Sequence, residues 1–318
     1  MVERKMRNVW LICIAALAAL AVLTSVARYG PVGENRAART DPQGGRQRIA
    51  SLAPNLTEIL FALGLGDSVV AVSSDSDYPP AARTRKKLGS FWQPNVEATA
   101  SAQPDLVVTL AFAQQQAAAE SLSRLGIEVL TVQIDTVAEL FDAIETIGQA
   151  TGRPEPARRL VAQLDGKLKQ ISSRFTATAR PKVLWVVQTE PLRVASRRTF
   201  ANELIELAGG QNAIGPTISR YPEIGSEQVL ASGAEVIIQP AMGKASLSRQ
   251  QQDAERFWRR WPELPAVKNR RIYVLDADAL VRLSPRLPEA VETVAQCLHP
   301  ALPSLQGGSK ATTVHGDG

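Results

Sequence analysis

Residues 153–175 constrain this chain more than any other stretch. Pro154 and Pro156 stand where a helix accepts proline, in its first turn. Behind them Ala157, Leu160, Val161, Leu164, Leu168, Ile171 and Phe175 recur at helical spacing. Arg158, Arg159, Asp165, Lys167, Lys169 and Arg174 fall on the other side, as on a solvated face, and Pro181 closes the stretch. At ~1.5 Å per residue, ~20 residues reach roughly 30 Å, the width of a small domain. Such a helix is either a stiff connector between two globular halves or a surface helix of one large domain. The flanking segments decide between these.

Strand-like and helix-like segments alternate on both sides. Ahead of the helix, strands are expected at 48–52, 69–73, 105–110 and 128–132. Helices are expected from Asn55 to about Gly64 and at 95–102, 114–125 and 136–150. Asn55 and Glu58 have capping-box spacing, and Ser76-Asp77-Tyr78-Pro79-Pro80 reads as a turn. Beyond the helix, strands are expected at 182–187, 235–238 and 271–275, with helices at 199–208, 226–231, 247–261 and about 288–298. This alternation predicts an α/β protein: two α/β lobes with central, mostly parallel sheets, joined by one long connector helix. The lobes are expected at 48–152 and 179–300, with the connector at 153–178.

An internal echo supports paired halves. Glu97 opens a short helix, Pro104 follows, and Asp105 begins the apolar run Leu-Val-Val. Glu227 opens another, Gly233 follows, and Glu235 begins Val-Ile-Ile, with Asn95 and Ser226 as the expected caps of the two helices.

The ends have a different character. Arg4, Lys5 and Arg7 precede an uncharged apolar run from Asn8 to Ala27, with small residues Ser25-Val26-Ala27 at its end. Residues 1–27 thus read as a signal peptide, or as an uncleaved anchor, since the run is nearly long enough to span a bilayer. Cys13 lies inside the run behind Ile12, a poor site for lipidation. Residues 28–47 read as a flexible linker and 301–318 as a disordered tail. The net charge of +5 becomes +3 once Glu3, Arg4, Lys5 and Arg7 leave with a leader. No basic stripe interleaved with aromatics appears, so no nucleic-acid partner is expected. With Cys13 in the leader, Cys297 stands alone, so export does not imply a disulfide framework.

Signatures of catalysis are missing, and no enzyme is expected. Gly64-Leu65-Gly66 follows a helix rather than a strand, and Gly243-Lys244-Ala245-Ser246 lacks the upstream glycine of a phosphate loop. His299 and His315 are the only histidines, so no metal site and no resident cofactor are expected. What remains are aromatic and polar residues in the loops: Tyr78, Phe91, Trp92, Tyr221 and the pair Asp278/Arg282. Ligands of open α/β sheets sit where such loops converge, at the carboxyl ends of strands. Trp92 reads as a ligand contact or as a rim residue packing its own loop. Tyr78 and Phe91 have the same two readings, and Asp278/Arg282 could be a helical ion pair.

Several motifs then resemble a known family. They are Arg48-Ile-Ala-Ser-Leu-Ala-Pro-Asn-Leu-Thr-Glu58, Val72-Ser-Ser-Asp-Ser-Asp-Tyr-Pro-Pro80, Trp92-Gln-Pro-Asn-Val-Glu97, Gln103-Pro-Asp-Leu-Val107, Leu125-Gly-Ile-Glu-Val129, Ser226-Glu-Gln-Val-Leu230 and Ser284-Pro-Arg286. Together they resemble the helical-backbone periplasmic binding proteins of ABC importers, which carry cobalamin, haem or ferric siderophores, and within them the cobalamin branch. The resemblance runs from about Arg48 to Leu298. It implies two α/β lobes around one long helix, a bulky metal-chelate ligand between them, and delivery to the permease subunits of an importer. It implies that Trp92 lies against the corrin, with Asp278 and Arg282 as polar contacts and Tyr221 where the cobalamin branch has a tryptophan. Glu97 and Glu227 match the two docking glutamates that meet arginines of the permease. Asp75 and Leu110 replace a tyrosine and a tryptophan, and Ala208 replaces the cysteine that would pair with Cys297.

The sequence thus leads to an extracytoplasmic, monomeric substrate-binding protein for cobalamin or a related corrinoid. The alternatives are a ferric siderophore or haem as ligand, or an anchored two-lobe domain that binds a protein and no small ligand.

Overall fold

The computed structural model describes residues 47–176, 179–243 and 245–301. The expected leader, the linker but for Gln47 and the tail but for Ala301 lie outside the described residues.

In the first lobe, β1 (Ile49–Ser51) leads into α1 (Pro54–Ala62), then β2 (Val69–Val72), a turn of 3-10 helix and β3 (Lys86–Lys87). There follow α2 (Val96–Ala100), β4 (Leu106–Leu110), α3 (Ala113–Arg124), β5 (Glu128–Val132) and α4 (Val137–Ala150). The sheet runs β3-β2-β1-β4-β5, parallel throughout. Its central strands β1 and β4 are buried at every position, as strands covered by helices on both faces must be.

Next comes the long helix, α5 (Pro154–Ser173). The second lobe comprises β6 (Lys182–Thr189), β7 (Leu192–Val194), α6 (Phe200–Leu207), β8 (Gln211–Asn212), α7 (Ser226–Ser232) and β9 (Val236–Ala241). It ends with α8 (Leu247–Trp258), α9 (Pro265–Lys268), β10 (Ile272–Asp276), α10 (Ala277–Leu280) and α11 (Leu287–Leu298). This sheet runs β10-β9-β6-β7, with β8 beside β6, and only the β6–β7 hairpin is antiparallel. The hairpin escapes the sequence reading because Glu190-Pro191 interrupts the apolar pattern.

The fold class read from the sequence holds: two mostly parallel α/β lobes joined by one long helix. That helix is no free-standing rod. Ala157, Leu164, Leu168 and Ile171 are buried in one core that also takes in Leu56 and Ile144 of the first lobe and Val183, Leu204 and Val291 of the second. A Cβ on Gly148 would lie 2.4 Å from the Ala157 methyl, so glycine lets α4 pass close over α5. Arg174 corrects the expectation of a uniformly solvated face. It points inward, its Nη1 2.8 Å from Oε2 of buried Glu292 on α11, because a charge entering a core needs a partner.

Two helix starts also differ. α1 begins at Pro54, whose missing N–H costs nothing in the first turn, so Asn55 is not the cap and Glu58 lies a turn inside the helix. α7 is capped by Gly225 rather than Ser226, and the Gln228 side chain accepts from the Gly225 N–H at 2.8 Å. At α2 the expectation stands: the Asn95 side chain accepts from the Ala98 N–H at 2.8 Å.

The echo between halves is structural. The Asp105 carboxylate accepts from the N–H of Arg48, beside β1, at 2.7 Å, and the Asp105 N–H donates to the Arg48 carbonyl at 2.8 Å. Glu235 makes the same two bonds with Lys182, at the head of β6, both 2.8 Å. In both lobes the acid after a short helix thus fastens one central strand to its neighbour.

Candidate ligand site between the lobes

Three of the expected site residues meet in one charged network that crosses the lobes. Arg286, just ahead of α11, donates from Nη2 and Nε to the Glu58 carboxylate of α1 at 2.7 and 3.0 Å. Its Nη1 lies 2.8 Å from Asp278 of α10, and its guanidinium sits 4.2 Å from the centre of the Tyr78 ring. Arg282 bridges Asp278 at 2.5 Å and Asp77 of the first lobe at 3.2 Å. It also reaches the Asp75 carbonyl at 3.4 Å.

Asp278 and Arg282 thus pair four residues apart as their spacing allows, but Arg282 lies beyond the end of α10, so the pair belongs to a contact between lobes rather than to one helix. Glu58 is 4% exposed, so this end of the network is nearly dry. Burial works against the charge on Arg286, but the hydrogen bonds and charges of Glu58 and Asp278 outweigh it and push its pKa above the ordinary value. Three carboxylates face two guanidiniums, and neither guanidinium is left uncommitted.

Trp92 stands apart from this network. It occupies the tip of a tight loop closed by a bridge between Gly89 and Pro94 and by the Asn95 N–H bonded to the Leu88 carbonyl at 2.7 Å. Gly89 has φ +89°, and a Cβ there would meet the Gln93 carbonyl at 2.6 Å, so the loop needs glycine. The indole is 61% exposed. It lies T-shaped to Phe91 at 4.9 Å and to Phe112 at 5.7 Å, with Phe91 and Phe112 themselves 4.9 Å apart. Phe91 and Phe112 pack against the core, so Phe91 has the rim-packing role and Trp92 presents free surface.

Tyr221 lies on the other lobe, 41% exposed, beside Arg220. Partial burial pushes its phenol pKa up, against the opposing charge of Arg220. The segment that carries it runs along β7: the Val194 N–H donates to the Pro222 carbonyl at 3.1 Å and Ser196 N–H to the Arg220 carbonyl at 3.0 Å. Arg220 crosses to Asp135 of the first lobe at 3.3 Å. Nearby, Glu203 of α6 accepts from the Val137 N–H at the start of α4 at 2.8 Å. Among the described residues, Trp92 and Tyr221 make no hydrogen bond or ring contact with the Tyr78/Asp278/Arg282 group.

Glu97 and Glu227 both fall at the second position of their short helices, and both are exposed. Among the described residues neither carboxylate has a hydrogen bond or ion pair.

The sequence reading missed the partners that organise the site. Asp77 and Arg286 sit inside motifs of the resemblance that give them no role, and the spacing of Glu58 from Asn55 points only to a capping box. Phe112 could have been found, since it lies two residues past β4, at a strand's carboxyl end, where ligand loops converge. Of the family's replaced positions, Leu110 is core and Ala208 is buried, as is Cys297, the cysteine left without its partner at 208. Burial pushes the Cys297 thiol up to about 12, against the charge of Arg271, so it stays a protonated apolar group. A cavity of about 320 Å³ lined by Arg180, Arg197 and Glu206 lies at the amino end of β6, away from these loops, and Arg180 there is already bonded to the Gly210 carbonyl. Among the described residues no cluster of His, Cys, Asp and Glu could hold a metal ion, and no helix is long and apolar enough to cross a membrane.

Comparison with known proteins agrees with this architecture. The family model described as periplasmic binding protein matches residues 49–279. A vitamin B12-binding protein of Vibrio cholerae is 30% identical over 253 residues, covering 79% of this chain and 89% of the relative. An ABC transporter substrate-binding lipoprotein of Bacillus subtilis, itself uncharacterised, is 31% identical over 262 residues and covers 80% of both. Among solved structures, a periplasmic haem-binding protein in complex with two haems superposes with a TM-score of 0.71 at 26% identity, covering 81% of this chain and all of that one.

Proposed function

Since the chain belongs to the periplasmic binding protein family, we propose that it captures cobalamin or a related corrinoid between its lobes and delivers it to the permease of an ABC importer. In this reading the lobes are 48–152 and 179–300 about a connector at 153–178, and residues 1–27 direct export, cleaved or kept as an anchor. The chelate lies against Trp92, with Tyr221 facing it from the other lobe and Tyr78, Asp278 and Arg282 at its polar edge. Glu97 and Glu227 meet the permease.

The observation that carries the choice of ligand is the charge balance of the cross-lobe network. Arg282 and Arg286 are already matched by Glu58, Asp77 and Asp278. A ligand with anionic arms, such as haem with its propionates or an anionic ferric siderophore, would meet a surplus of carboxylate there. The neutral amides that rim a corrin can both donate to carboxylates and accept from guanidiniums, which suits a site rich in both. Trp92 adds an exposed, supported aromatic surface for a large ring.

A thermal-shift screen of the exported chain against cyanocobalamin, cobinamide, haemin and ferric siderophores tests this, because a ligand of the folded state raises Tm. Corrinoids are expected to raise it and the others to leave it unchanged. A shift with haemin or a siderophore alone would move the ligand to that class, and no shift with any chelate would favour a protein-binding role.

A further inference from the structure

The backbone of Phe91 is held from both sides. Its N–H donates to the Asp75 carboxylate at 2.6 Å, and its carbonyl accepts from the Gln115 side-chain amide at 3.1 Å. Gln115 is fully buried, and every one of its polar valences is taken. Its oxygen accepts from the Thr109 hydroxyl at 2.5 Å and the Leu110 N–H at 2.9 Å, and its nitrogen also donates to the Leu52 carbonyl at 2.9 Å. It is therefore locked to β4 and to the loop after β1, and it passes that rigidity to the loop that ends in Trp92.

Without such support, an indole with 61% of its surface in water on a surface loop would have to be ordered when a ligand arrives. Ordering it beforehand removes that entropic cost from the binding step. Asp75 is exposed, and burial of its side chain does not account for its place here. Its carboxylate ties down a loop, and its carbonyl faces Arg282 of the other lobe at 3.4 Å.

We propose that Asp75 and Gln115 are positioning residues that preset the Trp92 surface, so that ligand affinity depends on them through Trp92. This rests on the reading of Trp92 as a ligand contact. It also gives Asp75, a departure from the tyrosine of the resembling family, a local function of its own.

The test uses the exported chain with Asp75→Ala, Asp75→Asn, Trp92→Ala and the double variant Asp75→Ala/Trp92→Ala. Cyanocobalamin affinity is measured by calorimetric titration, and exchange of the Phe91 amide by hydrogen–deuterium exchange. Asp75→Ala should speed exchange at Phe91 and weaken binding by about fivefold to tenfold, the scale of the net contribution of one solvent-exposed hydrogen bond. Asp75→Asn keeps a side-chain oxygen acceptor and should restore most of the affinity. In the Trp92→Ala background, Asp75→Ala should change affinity by less than about twofold.

Equal losses with and without Trp92 would mean that Asp75 acts on the ligand directly, and would overturn the proposal. So would unchanged exchange at Phe91, or faster exchange with unchanged affinity. Failure of the unaltered chain to bind cyanocobalamin would overturn the ligand reading of the cleft together with this role. The other three results leave that reading standing.

Discussion

Glu58 and Arg286, 228 positions apart, meet across the two lobes through two hydrogen bonds of 2.7 and 3.0 Å between a carboxylate and a guanidinium. Their side chains are 2% and 12% exposed. A pair this dry is held in place by the loss that follows when either partner is removed, because the other charge is then left buried. Asp278 would remain beside Arg286 and limit that loss. Glu58→Ala is therefore expected to cost about 3 kcal/mol, at the lower end of the range for breaking a buried pair. Urea denaturation measures it, and a loss below about 1 kcal/mol would mean that water already reaches the pair.

The lobes are also joined by Arg282–Asp77, Arg220–Asp135 and the Glu203–Val137 contact, and by the core packed along α5. The expected outcome is little change in their relative angle on ligand binding. Solution scattering with and without cyanocobalamin checks it. A large decrease in radius of gyration, as in proteins that close about a hinge, would contradict the stiff connector.

How much of this was legible in the sequence depends on distance along the chain. The long helix was visible because its apolar residues repeat at 3.6, and the paired halves because Glu97…Asp105 and Glu227…Glu235 repeat a local pattern. Cap residues were half legible: Asn95 caps α2, but Ser226 yields to Gly225, since a glycine cap leaves no polar side chain to see. The Glu58–Arg286 pair was not legible, because nothing local distinguishes a glutamate that reaches another lobe from one that caps a helix. The clamp on Phe91 likewise depends on three segments brought together only by the fold.

Two groups set opposite pH dependences. Burial lowers the pKa of His299, against hydrogen bonds to the Gly209 and Ala208 backbone, while its ring stacks on Phe175 at 4.5 Å. Its contribution to stability is present above an unfolded value of ~6.5 and is lost as pH falls through the lower folded one. Burial raises the pKa of Glu203, against the opposing hydrogen bond from Val137. Its contribution is present below an unfolded value of ~4.3 and is lost as pH rises through the higher folded one. Melting curves from pH 4 to pH 8 check both. His299→Phe should flatten the fall in Tm just below pH ~6.5, and Glu203→Gln should cost nothing at pH 7. A steep acid loss retained in His299→Phe would remove His299 as its source.

Glu97 and Glu227 separate two accounts of an acid in the first turn of a helix. If they serve only the helix dipole, each substitution costs ~0.3–1 kcal/mol of stability and transport is unaffected. If they meet basic residues on a permease, truncating such desolvated pairs can cost ~2–5 kcal/mol of docking. Glu97→Ala/Glu227→Ala should then leave ligand affinity intact, strongly reduce uptake, and weaken its salt dependence. Uptake of labelled cyanocobalamin into cells carrying the cognate permease measures this. Normal uptake by the double variant would reduce both residues to helix-end acids.

The central claim is that a corrinoid is held between the lobes against Trp92, and calorimetric titration of cyanocobalamin into the unaltered chain and into Trp92→Ala tests it most directly. One site per chain is expected, with a loss of ~1–3 kcal/mol in the variant for one large aromatic contact, which is about fivefold to 150-fold in Kd. No heat of binding in the unaltered chain, or an affinity that Trp92→Ala leaves unchanged, would contradict it.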